Sequence, residues 1–169
     1  MKLTKIAQFI AVTSLFSSAS VFASTGTITF TGAVTNKTCD IILDVDGLTN
    51  GSGMIDLGTA AVSDVGEVKH ITLTPVNPGT EEECTGVGEL TMTWQGPLGA
   101  SGIENANGSA TGTTVELKVD GGTAITSTNT THNFDFSVGD REIKYTAQLK
   151  AGDVAGTYSA TTTYAIVYE

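Results

Sequence analysis

The chain has 169 residues with 8 basic and 18 acidic side chains, a net charge of −10. Such a chain is repelled by DNA, RNA and anionic membrane surfaces. Its acids are dispersed apart from Glu81-Glu82-Glu83, which reads as solubility rather than an acidic binding tail.

The first element is not part of the fold. Lys2 and Lys5 precede an apolar, Ser-rich run over residues 6–21 that ends in Val21-Phe22-Ala23. That layout is a cleavable secretory signal, with an apolar stretch shorter than the roughly 20 residues of a membrane span. Residues 1–23 are therefore expected to be removed. The mature chain of 146 residues then starts at Ser24, with six bases against 18 acids and a net charge of −12. This length suits one domain. An exported chain with two cysteines, Cys39 and Cys84, is expected to join them in one disulfide, since the compartment is oxidising.

Beyond residue 24 no helical period of useful length occurs, whereas period-two alternation recurs. In chain order the apolar sets are Ile28, Phe30, Gly32 and Val34; Ile71 and Leu73; and Leu90, Met92 and Trp94. They continue with Val115, Leu117 and Val119; Phe134, Phe136 and Val138; and Ile143, Tyr145, Ala147 and Leu149. Tyr158, Ala160, Thr162, Tyr164, Ile166 and Tyr168 share one face of the last segment, expected as a strand over residues 157–168. Asp46-Gly47, Asn50-Gly51, Asn107-Gly108 and Asp120-Gly121 supply turn residues that tolerate positive φ. Pro75 and Pro78 are expected to bracket a turn, and residues 96–112 to form a long loop. The fold class is an all-β antiparallel sandwich, with no internal repeat and no second domain.

Catalytic and ligand chemistry are not in evidence. His70 and His132 read as surface residues on the side of their strands opposite the apolar positions, and neither has a partner at metal-ligand spacing. No G-x-S-x-G elbow occurs. Asp44-x-Asp46-Gly47 lacks the remaining ligands of a calcium loop and reads as a turn. Four Asn-x-Ser/Thr matches, at Asn36, Asn50, Asn107 and Asn129, carry little weight in so Thr- and Asn-rich a chain. No cofactor and no metal are expected, and the chain is not read as an enzyme.

The two ends stand out. Residues 25–34 form an apolar strand ahead of Cys39, and residues 157–168 form another at the close of the chain. Terminal strands with open edges invite pairing with another chain. Together with the signal, Ile55-Asp56-Leu57-Gly58 and Tyr145-Thr146-Ala147-Gln148-Leu149, these ends resemble the fimbrial subunits (pilins) of the bacterial chaperone–usher pathway. Gly156 and Tyr168 occupy that family's glycine fourteen from the end and its penultimate aromatic. The region around Pro75–Gly79 and the three glutamates before Cys84 are less typical of it.

The resemblance implies an incomplete immunoglobulin-like sandwich (residues 36–169) that lacks its last strand. A periplasmic chaperone fills the gap, and at an outer-membrane usher the N-terminal extension of the next subunit replaces it. On this reading residues 24–35 are the donor extension, with Ile28, Phe30, Gly32 and Val34 entering the groove. Gly156, Tyr158, Tyr164, Ile166 and Tyr168 line the acceptor or serve chaperone recognition. The product is a fimbrium on the cell surface supporting adhesion, with this chain as a shaft or major subunit. A minor adaptor subunit and a free-standing secreted carbohydrate-binding sandwich, using Trp94 and the tyrosines against sugar rings, are the alternatives. A tip adhesin would need an additional lectin domain for which the mature length leaves no room.

Overall fold

In the computed structural model the described residues are 38–137 and 141–169. The expected signal (residues 1–23), the donor extension (residues 24–35) with Ile28, Phe30, Gly32 and Val34, and also Val138 lie outside them. Ten strands follow one another: β1 Asp40–Val45, β2 Leu48–Thr49, β3 Val65–Val76, β4 Glu89–Gln95, β5 Leu98–Gly99, β6 Gly102–Glu104, β7 Thr114–Val119, β8 Thr131–Asp135, β9 Ile143–Lys150 and β10 Thr163–Tyr168. No helix occurs among the described residues.

One sheet has the order β2-β1-β3-β9-β7-β6-β5 and the other β10-β4-β8. All named pairings are antiparallel. Residues directly opposite in such a ladder share a face. Ile71 faces Tyr145 and Leu73 faces Ile143 across β3 and β9, while Leu90 faces Phe134 across β4 and β8. These sets meet between the sheets. Leu90, Met92, Ile125 and Ile143 are 0% exposed and Tyr145 is 1% exposed. Trp94 Nε1 donates to the Tyr145 hydroxyl at 3.1 Å, and that hydroxyl donates to Met92 Sδ at 3.3 Å. The polar ends of a mostly apolar core are thus satisfied within it.

Local chemistry explains the tightest turn. Val45 pairs with Leu48, so Asp46-Gly47 is a two-residue hairpin loop. Both residues have positive φ, 51° and 80°, as the twist of such hairpins demands.

Several expectations need correction. β1 and β2 were not anticipated, because Ile41-Ile42-Leu43 is a continuous apolar run that hides the alternation. Residues 96–112 are not one plain loop, since they contain β5 and β6. Pro75 lies inside β3 rather than opening a turn. Its carbonyl accepts the Cys84 N–H at 3.1 Å, so its missing donor also points away from β1, beyond where β9 stops pairing at Leu73. That is a position where a sheet tolerates proline. His132 sits opposite Met92 and therefore faces inward, half-buried, where desolvation pushes its pKa down. His70, opposite Thr146, is exposed as expected.

Candidate functional site: the open edge of the last strand

β10 pairs with β4 alone, and no described strand lies on its other edge. The phase of the ladder sets what that edge presents. Glu169 N–H donates to the Glu89 carbonyl at 2.9 Å, and Glu89 N–H donates back at 3.3 Å. Hydrogen-bonded pairs alternate with non-bonded ones, so odd-numbered residues of β10 bond to β4. Tyr164 and Ile166 direct their N–H and C=O groups outward. Their side chains face the core, because Tyr164, Ile166 and Tyr168 stand opposite Trp94, Met92 and Leu90.

The core thins abruptly here. Leu90 and Met92 are wholly buried, whereas Tyr168 and Ile166 beside them are only half-buried, and Tyr164 is 42% exposed. β1 supplies the facing wall. Its Ile41, Leu43 and Val45 stand opposite Pro75, Leu73 and Ile71, and Cys39, Ile41 and Leu43 lean half-buried on the core. At one end the walls are tied together: the Tyr168 hydroxyl donates to the Cys39 carbonyl at 3.3 Å. Cys39 is disulfide-bonded to Cys84 with their Cα atoms 6.0 Å apart. The Cys84 carbonyl accepts Arg141 at 2.6 Å, and Arg141 pairs with Glu83 at 3.4 Å.

The residues read from sequence fall into two groups. Tyr164, Ile166 and Tyr168 come together on β10. Gly156 and Tyr158 belong to a separate lead-in, because the strand begins at Thr163 rather than at residue 157. Residues 157–159 are instead held by the loop after β6. Asn105 Nδ2 donates to the Thr157 carbonyl at 3.0 Å, its Oδ1 accepts the Ser159 N–H at 3.0 Å, and Ala110 N–H donates to the Thr157 carbonyl at 3.0 Å. A Cβ on Gly156 would lie 2.5 Å from Ser109 Oγ and 2.6 Å from the Ala110 nitrogen, so glycine is what lets the two segments touch. The Tyr158 hydroxyl donates to the Ile103 carbonyl at 3.2 Å. Sequence reasoning missed the β1 wall; the apolar run directly after Cys39 was the available signal.

Burial pushes the phenols of Tyr145, Tyr158 and Tyr168 up to about 12 from 10.0. For Tyr168 the charges of Tyr164 and Asp40 add to burial. The folded state thus keeps protons that the unfolded chain releases. This contribution is complete below pH 10.0 and is lost as pH rises towards about 12. Melting temperature should decline across that window, with tyrosinate absorbance appearing late in the folded protein. Phenols that ionise near their ordinary value without loss of structure would contradict this.

Other chemistry is spoken for. The Asp46 carboxylate accepts the His70 N–H at 2.9 Å and pairs with Lys69 at 3.1 Å, which lowers its pKa in that order of cause. It serves the turn. Trp94 is half-buried with its rings against Tyr145 and Tyr164, centroids 5.5 Å away in each case. That leaves it poorly placed to stack on a sugar. No cluster of metal-ligating side chains occurs among the described residues.

No protein-family model matches the chain. The "K99 fimbrial protein" of Escherichia coli is 30% identical over 170 residues, covering 90% of this chain and 92% of that one. The "F107 fimbrial protein" of Escherichia coli is 32% identical over 177 residues, covering 100% of both. Among solved structures, the P pilus rod subunit PapA superposes with a TM-score of 0.51 at 19% identity, over 86% of this chain and 100% of that one. A chain from a chaperone–usher pilus superposes with a TM-score of 0.53 at 18% identity, over 89% and 99%. The likeness to the solved chains carries the pilin-type, immunoglobulin-like fold. On the identity and coverage of the curated relatives, the chain belongs to the family of bacterial fimbrial proteins, structural subunits of a cell-surface pilus rather than enzymes.

Proposed function

We propose that this subunit polymerises by donor-strand exchange, residues 24–35 of one copy completing the sandwich of residues 36–169 of the next. The observation that carries the reading is the contrast within one layer: Leu90 and Met92 are fully buried, while Tyr168 and Ile166 beside them are not. Their strand also offers backbone groups to an edge without a described partner. An added strand would satisfy those groups and cover the apolar face together. Ile28, Phe30, Gly32 and Val34 have the two-residue period needed to enter from one side, Gly32 where backbone must approach closely. Before assembly a periplasmic chaperone would protect the same edge and deliver the subunit to an outer-membrane usher. The donor extension and single domain favour a shaft subunit, and the solved relative described as a rod subunit has the same fold.

The test is a thermal melt of oxidised residues 36–169 with and without a peptide of residues 24–35. A ligand that binds only the folded state stabilises by about 2.7 kcal/mol at 100 times its Kd. The expected result is a saturable rise in melting temperature that a Gly32→Leu peptide does not produce. A cooperative melt at the same temperature with either peptide would remove donor-strand exchange from consideration.

A further inference from the structure

The chain carries the tripeptide Asn-Gly-Ser twice, at residues 50–52 and 107–109. Asparagine is a labile residue. Ahead of glycine it is most open to loss of its side-chain amide, because a following residue without a Cβ lets its backbone nitrogen swing onto the asparagine Cγ. The two copies have the same residues, so a difference in their reactivity comes from the fold.

At residues 107–109 the attacking group is tied down. Gly108 N–H donates to Asn105 Oδ1 at 2.8 Å, and Asn107 N–H donates to the Ser159 carbonyl at 3.0 Å. A Cβ on Gly108 would collide with the Thr157 carbonyl, so the backbone there has no room to turn. Ser109 is directed at Thr157: its N–H donates to the Thr157 hydroxyl at 3.3 Å, and its Oγ accepts the Thr157 N–H at 3.1 Å.

At residues 50–52 the same groups are arranged the other way. Gly51 is exposed, a Cβ on it would meet nothing within 4 Å, and its N–H has no partner among the described residues. Ser52 turns back onto Asn50. Its hydroxyl and its N–H donate to Asn50 Oδ1 at 2.8 Å and 3.1 Å. Two donors on one carbonyl oxygen draw charge from Cγ and stabilise the negative charge that the oxygen takes up on attack. Asn50 Nδ2 donates to the Met54 carbonyl at 2.6 Å, which fixes the amide in that position.

We propose that Asn50 is a site of spontaneous deamidation in the folded chain, and that the fold protects Asn107 from the same reaction. Hydroxide takes the Gly51 amide proton, the nitrogen bonds to Asn50 Cγ, and the bond from Cγ to Nδ2 breaks with loss of ammonia. Water then opens the five-membered ring. Opening at the side-chain carbonyl gives aspartate, and opening at the main-chain carbonyl gives isoaspartate. In sum one amide and one water become one carboxylic acid and one ammonia. The new carboxylate adds a negative charge and leaves the Met54 carbonyl without its donor, so the turn after β2 loosens as the protein ages. The inference is independent of donor-strand exchange.

The test ages the exported, oxidised chain in mildly alkaline buffer, folded and in urea with the disulfide reduced. Peptides containing each tripeptide are then read by mass and by chromatographic separation of aspartate from isoaspartate. In the folded chain Asn50 should convert roughly tenfold faster than Asn107, since reaction at Asn107 first requires the Gly108 hydrogen bond to break. In urea the two should convert at similar rates. Equal rates in the folded chain, or faster conversion at Asn107, would overturn the proposal. So would a preference for Asn50 that persists unchanged in urea, which would place its cause outside the fold. Ser52→Ala should slow conversion at Asn50 severalfold with the melting temperature unchanged, its site being exposed. An unchanged or higher rate in that variant would overturn activation by Ser52.

Discussion

Replacing Cys39 and Cys84 together by serine should lower the unfolding free energy of the subunit by roughly 4 kcal/mol, the chain-entropy value for a loop of this size. The bridge joins residues 45 positions apart, so its loss frees a large part of the unfolded chain. Against the roughly 5–15 kcal/mol of a typical domain, that is the difference between a stable and a marginal subunit. The folded state loses something as well. Cys39 supplies the carbonyl that anchors Tyr168, and Cys84 supplies the one that anchors Arg141. Without the bridge, the residue before β1 is no longer tied to Cys84, in the segment that leads from β3 to β4. Urea unfolding of the oxidised protein and the double variant measures the difference. A loss below about 1 kcal/mol would mean that the unfolded chain is not appreciably constrained by the bridge.

Alanine substitutions in two inward-facing isoleucines should separate core from groove. Ile143 is 0% exposed on β9, and Ile143→Ala should cost about 2–5 kcal/mol whether the subunit is free or in a filament. Ile166 is half-buried on β10, so Ile166→Ala should cost only about 1 kcal/mol in the free subunit, from the smaller apolar area it hides. In the filament the same change should cost more, because a donated strand would bury what solvent now reaches. The comparison needs denaturant unfolding of the free subunits and thermal dissociation of the filaments. Equal penalties for Ile166→Ala in both states would mean that nothing further covers β10 on assembly.

Much of the fold was legible because a half-buried strand writes its burial as a two-residue alternation. Leu90-x-Met92-x-Trp94, Val115-x-Leu117-x-Val119 and Ile143-x-Tyr145-x-Ala147-x-Leu149 all became strands with those residues inward. Asp46-Gly47 announced a turn because few residue pairs accept two successive positive φ angles, and the strands on either side of it made that turn a hairpin. The disulfide followed from cysteine count and compartment. Where alternation is masked, as in Ile41-Ile42-Leu43, the strand went unread. Where it continues past the point at which neighbours stop pairing, as at residues 157–162, the strand was drawn too long.

The site divides in the same way. Sequence by itself determined an exported, two-cysteine, all-β chain with apolar alternation at both ends, because local period, turn chemistry and charge depend only on near neighbours along the chain. Tertiary structure alone decided that β10 is an edge and that Gly156 serves a contact with Ser109 and Ala110. It also decided that His132 turns inward beside Met92 and which of the two Asn-Gly-Ser tripeptides is clamped. Each of these depends on which segment lies alongside which, and pairing between residues tens of positions apart is set by the packing of whole sheets rather than by any local pattern.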